Sequence, residues 1–348
     1  MIGRLWARER ADGDAGAHSP AAAMWIGAAL ANAPDLDLVT SLLSPTAYLD
    51  HHRGVTHSLV MLPLWALLCA GLLRKYSGRE SFARYLLLAV PALLSHVLAD
   101  SVGSYGTFVF APLSDYRLRL DWLFIIDPWI TGGLLLGLGA LLAWRAHGRR
   151  LALWTLVLLA GYTAAAATRH HQALALWRAR LAADGIAAGR IAAVPQAGSL
   201  NHWLLLAADN ATTRAAPLTL STPWALSGDS LAARYLNRFR PLDALEIHRF
   251  PTAPPPPPDA PLLDDYLAFA RFPVAWSEGA ACEPGAPRPL VHWRDLQYGW
   301  ENDYNPFHLM ARLDGAGRAV DFAMQSRRGP PHWISVAPLR LRLPGCLV

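Results

Sequence analysis

The 348-residue chain reads as a membrane α-helical bundle of four to five spans followed by a smaller α+β soluble domain. Three observations predict this. Apolar residues make up 53% of the sequence and charged ones only 16%, far from the balance of a soluble protein. The apolar residues are segregated: up to about residue 168 they form long runs, and beyond it they mix with charge, proline and turns. Arginines close two of the runs, as expected at membrane borders. The expected division is an N-terminal polar segment 1–19, a transmembrane bundle 20–168 and an extracytoplasmic α+β domain 169–348.

Met1 to Ser19 carries Arg4, Arg8 and Arg10 beside Asp12 and Asp14, and no short apolar core with a small-residue cleavage site follows in the manner of a signal peptide. Residues 20–33 are apolar but short for a span of about 20 residues. Pro34-Asp35-Leu36-Asp37 interrupts them, so this helix either continues through Leu43 or lies at the interface. Val55–Leu73 is the first convincing span, closed by Arg74-Lys75. Phe82–Val102 is the second, with Pro91 expected to kink it. Leu120–Trp144 is the third and Leu151–Thr168 the fourth, separated by Arg145, His147, Arg149 and Arg150.

Short arginine-rich loops stay in the cytoplasm. Loops 74–84 and 145–150 therefore orient the bundle, and the opposite face receives His52, His57, His96, Asp100, Asp121 and Asp127. Asp35 and Asp37 join them if the first helix exits there. Loop charge set the orientation, and the polar residues then converged without being used. The region from about 170 onward follows on the extracytoplasmic side.

Residues 170–190 read as an amphipathic helix, with Leu174, Leu176, Trp177 and Leu181 among arginines. Strands are expected at 203–208, 291–296, 307–313 and 319–324, with a hairpin turn over 313–318. Residues 230–240 read as a helix and Pro254–Pro258 as a stiff extended linker. Of the three cysteines, Cys69 sits in an apolar run as inert packing, while Cys282 and Cys346 are candidates for a disulfide outside the cytoplasm. No CxxC occurs, which argues against a zinc ribbon. The net charge of +5 is modest and the arginines form no stripe with aromatics, which argues against nucleic acid.

The candidate chemistry lies in His51-His52-Arg53-Gly54-Val55-Thr56-His57-Ser58 and its companions. His96 and Asp100, four apart, share a helix face. An ionisable pair in a membrane segment fits either a functional site or a buried packing contact. His52 and His57 are five apart, so His52 reaches from a loop that turns at Gly54 and His57 from the first helical turn. His51 reads as a solvated bystander. Asp35 and Asp37 flank Leu36 after Pro34, in a place that also suits an ordinary helix-end turn. Imidazole and carboxylate donors together suit zinc, with manganese or iron as alternatives, better than calcium. Arg53 is a candidate to hold an anionic substrate group. Asp127, like Asp121, is a candidate to orient a ligand imidazole, and before Pro128 it is equally a candidate helix cap.

Pro34-Asp35-Leu36-Asp37, His52-Arg53-Gly54-Val55-Thr56-His57-Ser58, and His96 with Asp100 resemble the bacterial inner-membrane metal-dependent hydrolase family, the YdjM-like group. The likeness covers roughly residues 20–145, includes Ser104-Tyr105-Gly106-Thr107, and is expected to continue at 270–273 and 291–324. It implies a multi-pass protein of the bacterial inner membrane, with Asp35, Asp37, His52, His57, His96 and Asp100 as ligands of a divalent metal. Membrane lipid and a small-molecule or lipid-linked substrate are the implied partners. The likeness departs at the N-terminus, where a polar segment stands in place of an opening apolar helix. Three readings follow: a membrane metallohydrolase acting near the outer face on a phosphoester or lipid-linked molecule; a non-enzymatic protein with a structural metal site and an outer partner-binding domain; and, weakest, a transporter with a His96–Asp100 proton relay.

Overall fold

The computed structural model describes residues 1–7, 18–42, 48–49, 51–221, 230–256, 260–278, 290–300, 307–314, 318–325 and 333–340. The chain divides into two compact units: residues 1–43, 51–169 and 195–200 form one, and 44–50, 170–194 and 201–348 the other. Cys282, Cys346, the middle of the 313–318 turn and the end of the proline run lie outside the described residues.

The first unit is helical. A short helix α1 (Ile2–Trp6) crosses α2 (Pro20–Asn32) closely, since a Cβ on Gly3 would collide with the Ala23 carbonyl oxygen. Ser19 caps α2, accepting from the Ala22 amide at 3.2 Å, and Pro20 occupies the first turn, where its missing N–H costs nothing. A 3-10 segment, Pro34–Leu42, carries the chain on. Then come a single 3-10 turn at Val55–His57, α3 (Leu62–Tyr76), α4 (Phe82–Ser101), α5 (Pro128–Ala143) and α6 (Gly148–Ala183). Leu30, Leu62, Ala66, Leu88, Ala89, Ala92 and Leu93 form the core. Its alanines let helix backbones approach closely, as small residues do in membrane bundles.

Among the described residues, two helical stretches are long and apolar enough to cross a membrane, Phe82–Ser101 and Arg145–Ala183, with Pro128–Ala143 shorter. Their outward faces are apolar: Leu87 and Leu98 on α4, Leu135 and Leu136 on α5, and Trp154 and Leu158 on α6 are all exposed. Apolar surface on this scale marks a lipid or protein interface.

Two helices begin later than the apolar runs indicate. The run from Val55 becomes α-helical only at Leu62, because Pro63 is tolerated solely in a first turn. The run from Leu120 becomes helical only at Pro128, behind the Asp127 cap. In the other direction, 151–168 and the amphipathic stretch after 170 fuse into one helix of 36 residues. The polarity changes near Arg169, but no glycine or proline follows Gly161 there to break the backbone.

The second unit holds two antiparallel sheets. Strands β1 (Arg190–Pro195), β2 (His202–Ala208), β3 (Thr212–Thr219) and β4 (His248–Pro251) form one, in sequential order. Strands β5 (Pro273–Glu278), β6 (Leu290–Asp295), β7 (His308–Leu313), β8 (Arg318–Met324) and β9 (Ile334–Arg340) form a meander. Two short helices, α7 (Leu231–Asn237) and α8 (Pro261–Phe269), lie in the connections. Strand β2 explains its own unbroken apolar run. Trp203, Leu205 and Ala207 pack with Ala173, Trp177 and Leu181 of α6, while Leu204, Leu206 and Ala208 face Phe272, Val274 and Leu296. Both faces are buried, so alternation vanishes.

Within the meander, His292 Nδ1 and His308 Nε2 are 2.9 Å apart, and His308 Nδ1 is 2.9 Å from Gln325 Oε1. Trp276 stacks on His292. Burial, reinforced by Arg294 and His292 against the Gln325 hydrogen bond, pushes the His308 pKa down to about 4. A histidine held neutral when folded but protonated near 6.5 when unfolded destabilises the fold as pH falls. Unfolding of the full chain monitored by near-ultraviolet circular dichroism is expected to show stability falling between pH 6.5 and 4, and His308→Gln to flatten that slope.

Candidate metal centre

Four side chains from three segments converge. Asp35 comes from the 3-10 segment after Pro34, His57 from the turn before α3, and His96 and Asp100 from successive turns of α4. His57 Nε2 lies 3.1 Å from His96 Nε2, 3.4 Å from Asp35 Oδ1 and 3.2 Å from Asp100 Oδ2. His96 Nε2 lies 3.4 Å from both Asp35 Oδ1 and Asp100 Oδ2. A tetrahedral ion with bonds of about 2.0–2.1 Å requires ligand atoms about 3.3 Å apart. The five separations fall at that spacing. Asp100 Oδ2 is buried and makes no hydrogen bond, although it faces both imidazoles. Two imidazole nitrogens and two carboxylate oxygens directed at one point fit a divalent cation of the zinc type.

Asp37 turns elsewhere. Residues two apart on a 3-10 helix point about a third of a turn from each other, so the two carboxylates have different partners. Asp37 Oδ1 accepts from His52 Nδ1 at 2.8 Å. Its Oδ2 accepts from the Arg53 amide at 3.1 Å and from Thr56 Oγ1 at 2.7 Å, and stands 3.2 Å from His57 Nδ1. Asp35, Asp37 and His52 thus make a second cluster that shares Asp35 with the first. Burial opposes charge on Asp37, yet the hydrogen bonds from His52, His57 and Thr56 outweigh it and hold its carboxyl well below the usual range. His57, which precedes the helical spans, is buried against its own charge, and the Asp100 and Asp37 carboxylates nevertheless raise it to about 9.

Arg53 is committed to this cluster. Its Nη2 is 2.9 Å from Asp100 Oδ1, its Nη1 donates to the Asp100 carbonyl at 3.3 Å, and its guanidinium lies over the Tyr105 ring. Its backbone is left-handed, with φ 61°, a conformation costing a non-glycine residue about 1–2 kcal/mol. Two hydrogen bonds hold it there: the amide to Asp37 and the carbonyl accepting from the Phe108 amide at 3.0 Å. Gly54 follows because a Cβ would stand 2.8 Å from the His51 carbonyl oxygen. His51 is exposed. His57 belongs to a 3-10 turn, so no α-helix N-terminus lies behind it as the apolar run implied. Asp121 is buried, with φ 55°.

Asp127 takes no part in either cluster. Its Oδ1 accepts from the Trp129 and Ile130 amides at 2.9 and 3.0 Å, and its Oδ2 accepts from the Tyr162 hydroxyl at 3.2 Å. The Asp-Pro pair is the sequence signal for that cap. Thr56 and Tyr105 are the contributors that residue-type reasoning passed over. The Thr56 hydroxyl serves Asp37, and the Tyr105 ring lies under the Arg53 guanidinium.

The profile of the family described as YdjM inner membrane protein matches residues 5–173. Residues 5–173 belong to the YdjM inner membrane protein family. The match ends short of 270–273 and 291–324, where a likeness was also expected. Among curated proteins the chain is similar to inner membrane protein YbcI of Escherichia coli K12, 38% identical over 107 residues, 30% of this chain and 61% of YbcI. It is also similar to a protein of Bacillus subtilis strain 168 named uncharacterized protein YfhP, 30% identical over 116 residues, 33% of this chain and 35% of YfhP. The chain thus spans about a third of one relative and three-fifths of the other. No solved structure matches it with significance. The YdjM segment contains every residue of both clusters.

Asp127→Ala is expected to lower stability by about 1 kcal/mol, the usual worth of an N-cap, and to leave metal content unchanged. Thermal melts and elemental analysis of the same preparation check both halves.

Proposed function

We propose that this YdjM-family protein is a multi-pass inner-membrane hydrolase that uses a divalent-metal centre on a phosphoester or lipid-linked substrate near the outer face. The five donor separations of 3.1–3.4 Å carry the reading. Asp35, His57, His96 and Asp100 would hold the ion, zinc first among divalent metals, with manganese and iron next. Such an ion supplies Lewis acidity and a water acidified toward neutral pH. Arg53 fixes Asp100 in the ligand set, and Asp35, the most exposed donor with 37% of its side chain accessible, is the one able to yield a position to substrate.

Four to five spans are our reading of the bundle: α4 and α6, joined by α3, α5 and the α2 segment. Arg84 and Asp100 stand at opposite ends of α4, about 24 Å apart along its axis at 1.5 Å per residue. The arginine-rich loop would face the cytoplasm, the cluster the outer side, and the sheet-rich domain would lie outside the cytoplasm. Exposed Leu36, Val39 and Val55 around the cluster support a substrate with an apolar part held among membrane lipids.

A structural metal site is the second reading. One observation favours it: four protein donors close a tetrahedron, as in sites that stabilise folds and do no chemistry. Turnover decides between the two.

Purified protein in detergent is expected to carry metal stoichiometrically, and His57→Ala to lose it. Equal metal in both, or none in either, removes the centre. Hydrolysis of phosphoesters or lipids by the metal-loaded form supports the enzyme; bound metal with no turnover across such a panel favours the structural role.

Metal uptake should also depend on pH with a definite sign. With His57 raised to about 9, its proton stabilises the metal-free fold fully below about 6.5, and that stabilisation is lost as pH climbs through 9. A cation ligated by His57 displaces that proton. Cobalt(II) affinity is therefore expected to rise from pH 6 to 9 with proton release, read by calorimetry in buffers of different ionisation enthalpy.

A further inference from the structure

We propose that the centre holds a single divalent ion and that Asp37 is a positioning residue, which fixes the His57 imidazole without touching the ion. This rests on the metal-centre reading above and adds the ion count and the division of labour. The competing arrangement is a two-ion centre bridged by Asp35, because Asp35, Asp37 and His52 form a second cluster.

Distance separates the two. Donors to one ion with bonds of about 2.0–2.1 Å stand roughly 3.0–3.4 Å apart. His52 Nδ1 and Asp37 Oδ1 are 2.8 Å apart, the length of a charge-assisted hydrogen bond. Asp37 is also heavily engaged. Its Oδ2 meets the Arg53 amide, Thr56 Oγ1 and His57 Nδ1, more partners than the two lone pairs of one carboxylate oxygen, and its Oδ1 meets His52 Nδ1. Ligation through Oδ2 would have to break one of these contacts.

The same bonds set the His57 tautomer. Thr56 Oγ1 gives its proton to Asp37 Oδ2, so a lone pair faces His57 Nδ1 at 2.9 Å. Nδ1 then meets two acceptors, Thr56 Oγ1 and Asp37 Oδ2, and carries the proton. The Nε2 lone pair is left turned toward Asp35, His96 and Asp100. A carboxylate behind a ligating imidazole fixes the ring and raises its basicity.

The test is a titration of full-length protein in detergent with cobalt(II), reading equivalents bound, dissociation constant and visible spectrum. Wild type is expected to bind one equivalent. Asp37→Asn should also bind one, about 10–100-fold more weakly, with wild-type band positions and intensity because the donors are unchanged. Asp35→Asn, which alters a donor, should change the spectrum. Thr56→Val preserves side-chain shape and is expected to weaken binding in the same direction by a smaller factor. Two equivalents in wild type falling to one in Asp37→Asn overturn the proposal. So does an altered Asp37→Asn spectrum, or an unchanged affinity. If circular dichroism shows Asp37→Asn unfolded, Thr56→Val decides: wild-type affinity overturns the role, and weakened binding with an unchanged spectrum supports it. A wild type that takes up no cobalt removes the centre itself, whereas cobalt bound with Asp37 among its donors removes only this division of labour.

Discussion

Three carboxylates and three imidazoles are gathered beside an apolar bundle, and their charges must be matched within a few ångströms. Ionised groups withdrawn from water are tolerated only when paired or hydrogen-bonded. Each local feature of the region serves that requirement. Asp37 takes hydrogen bonds from a loop, a hydroxyl and a ring. Asp100 takes the Arg53 guanidinium on one oxygen and turns the other toward the histidines. The remaining need for positive charge is concentrated where four donors meet, and this makes a cation the natural completion of the arrangement.

Short, irregular backbone does most of the positioning. A 3-10 segment sends Asp35 and Asp37 to different partners, whereas an extended strand would have put both on one face. Arg53 accepts a left-handed backbone so that its amide and its guanidinium reach two different aspartates. Only α4 contributes in the regular way, with His96 and Asp100 one turn apart. Rigid helix on one side and hydrogen-bonded loop on the other is how sites are commonly built on scaffolds.

Much of this was legible in the residues. The His–Asp spacing on α4 follows from helical periodicity, the polar ends of the apolar runs from the residue pattern, and the strand at 203–208 from its unbroken apolar run, though not the burial of both its faces. Helix starts did not follow from hydropathy, because Leu59 to Met61 and Leu120 to Ile126 are as apolar as the helices after them. Pro63 and Asp127-Pro128 held the missing information, since proline fits only a first turn. The split between Asp35 and Asp37 was not readable, because it depends on a 3-10 geometry that Pro-Asp-Leu-Asp does not specify. Strands β1, β3, β4, β5 and β9 were missed for another reason: alanine and proline, as in Thr212–Thr219, are poor strand formers, and partner strands supply the order.

The uneven exposure of the donors has a kinetic consequence. His57 is sealed from solvent, while Asp35 is 37% accessible at the end of a short segment that begins with Pro34. A cation reaching the cluster would meet Asp35 first, since His57 is sealed and His96 and Asp100 are nearly covered. Access to the cluster would then run through one carboxylate at one end of the 3-10 segment, and the long helices would not have to part for its contents to exchange.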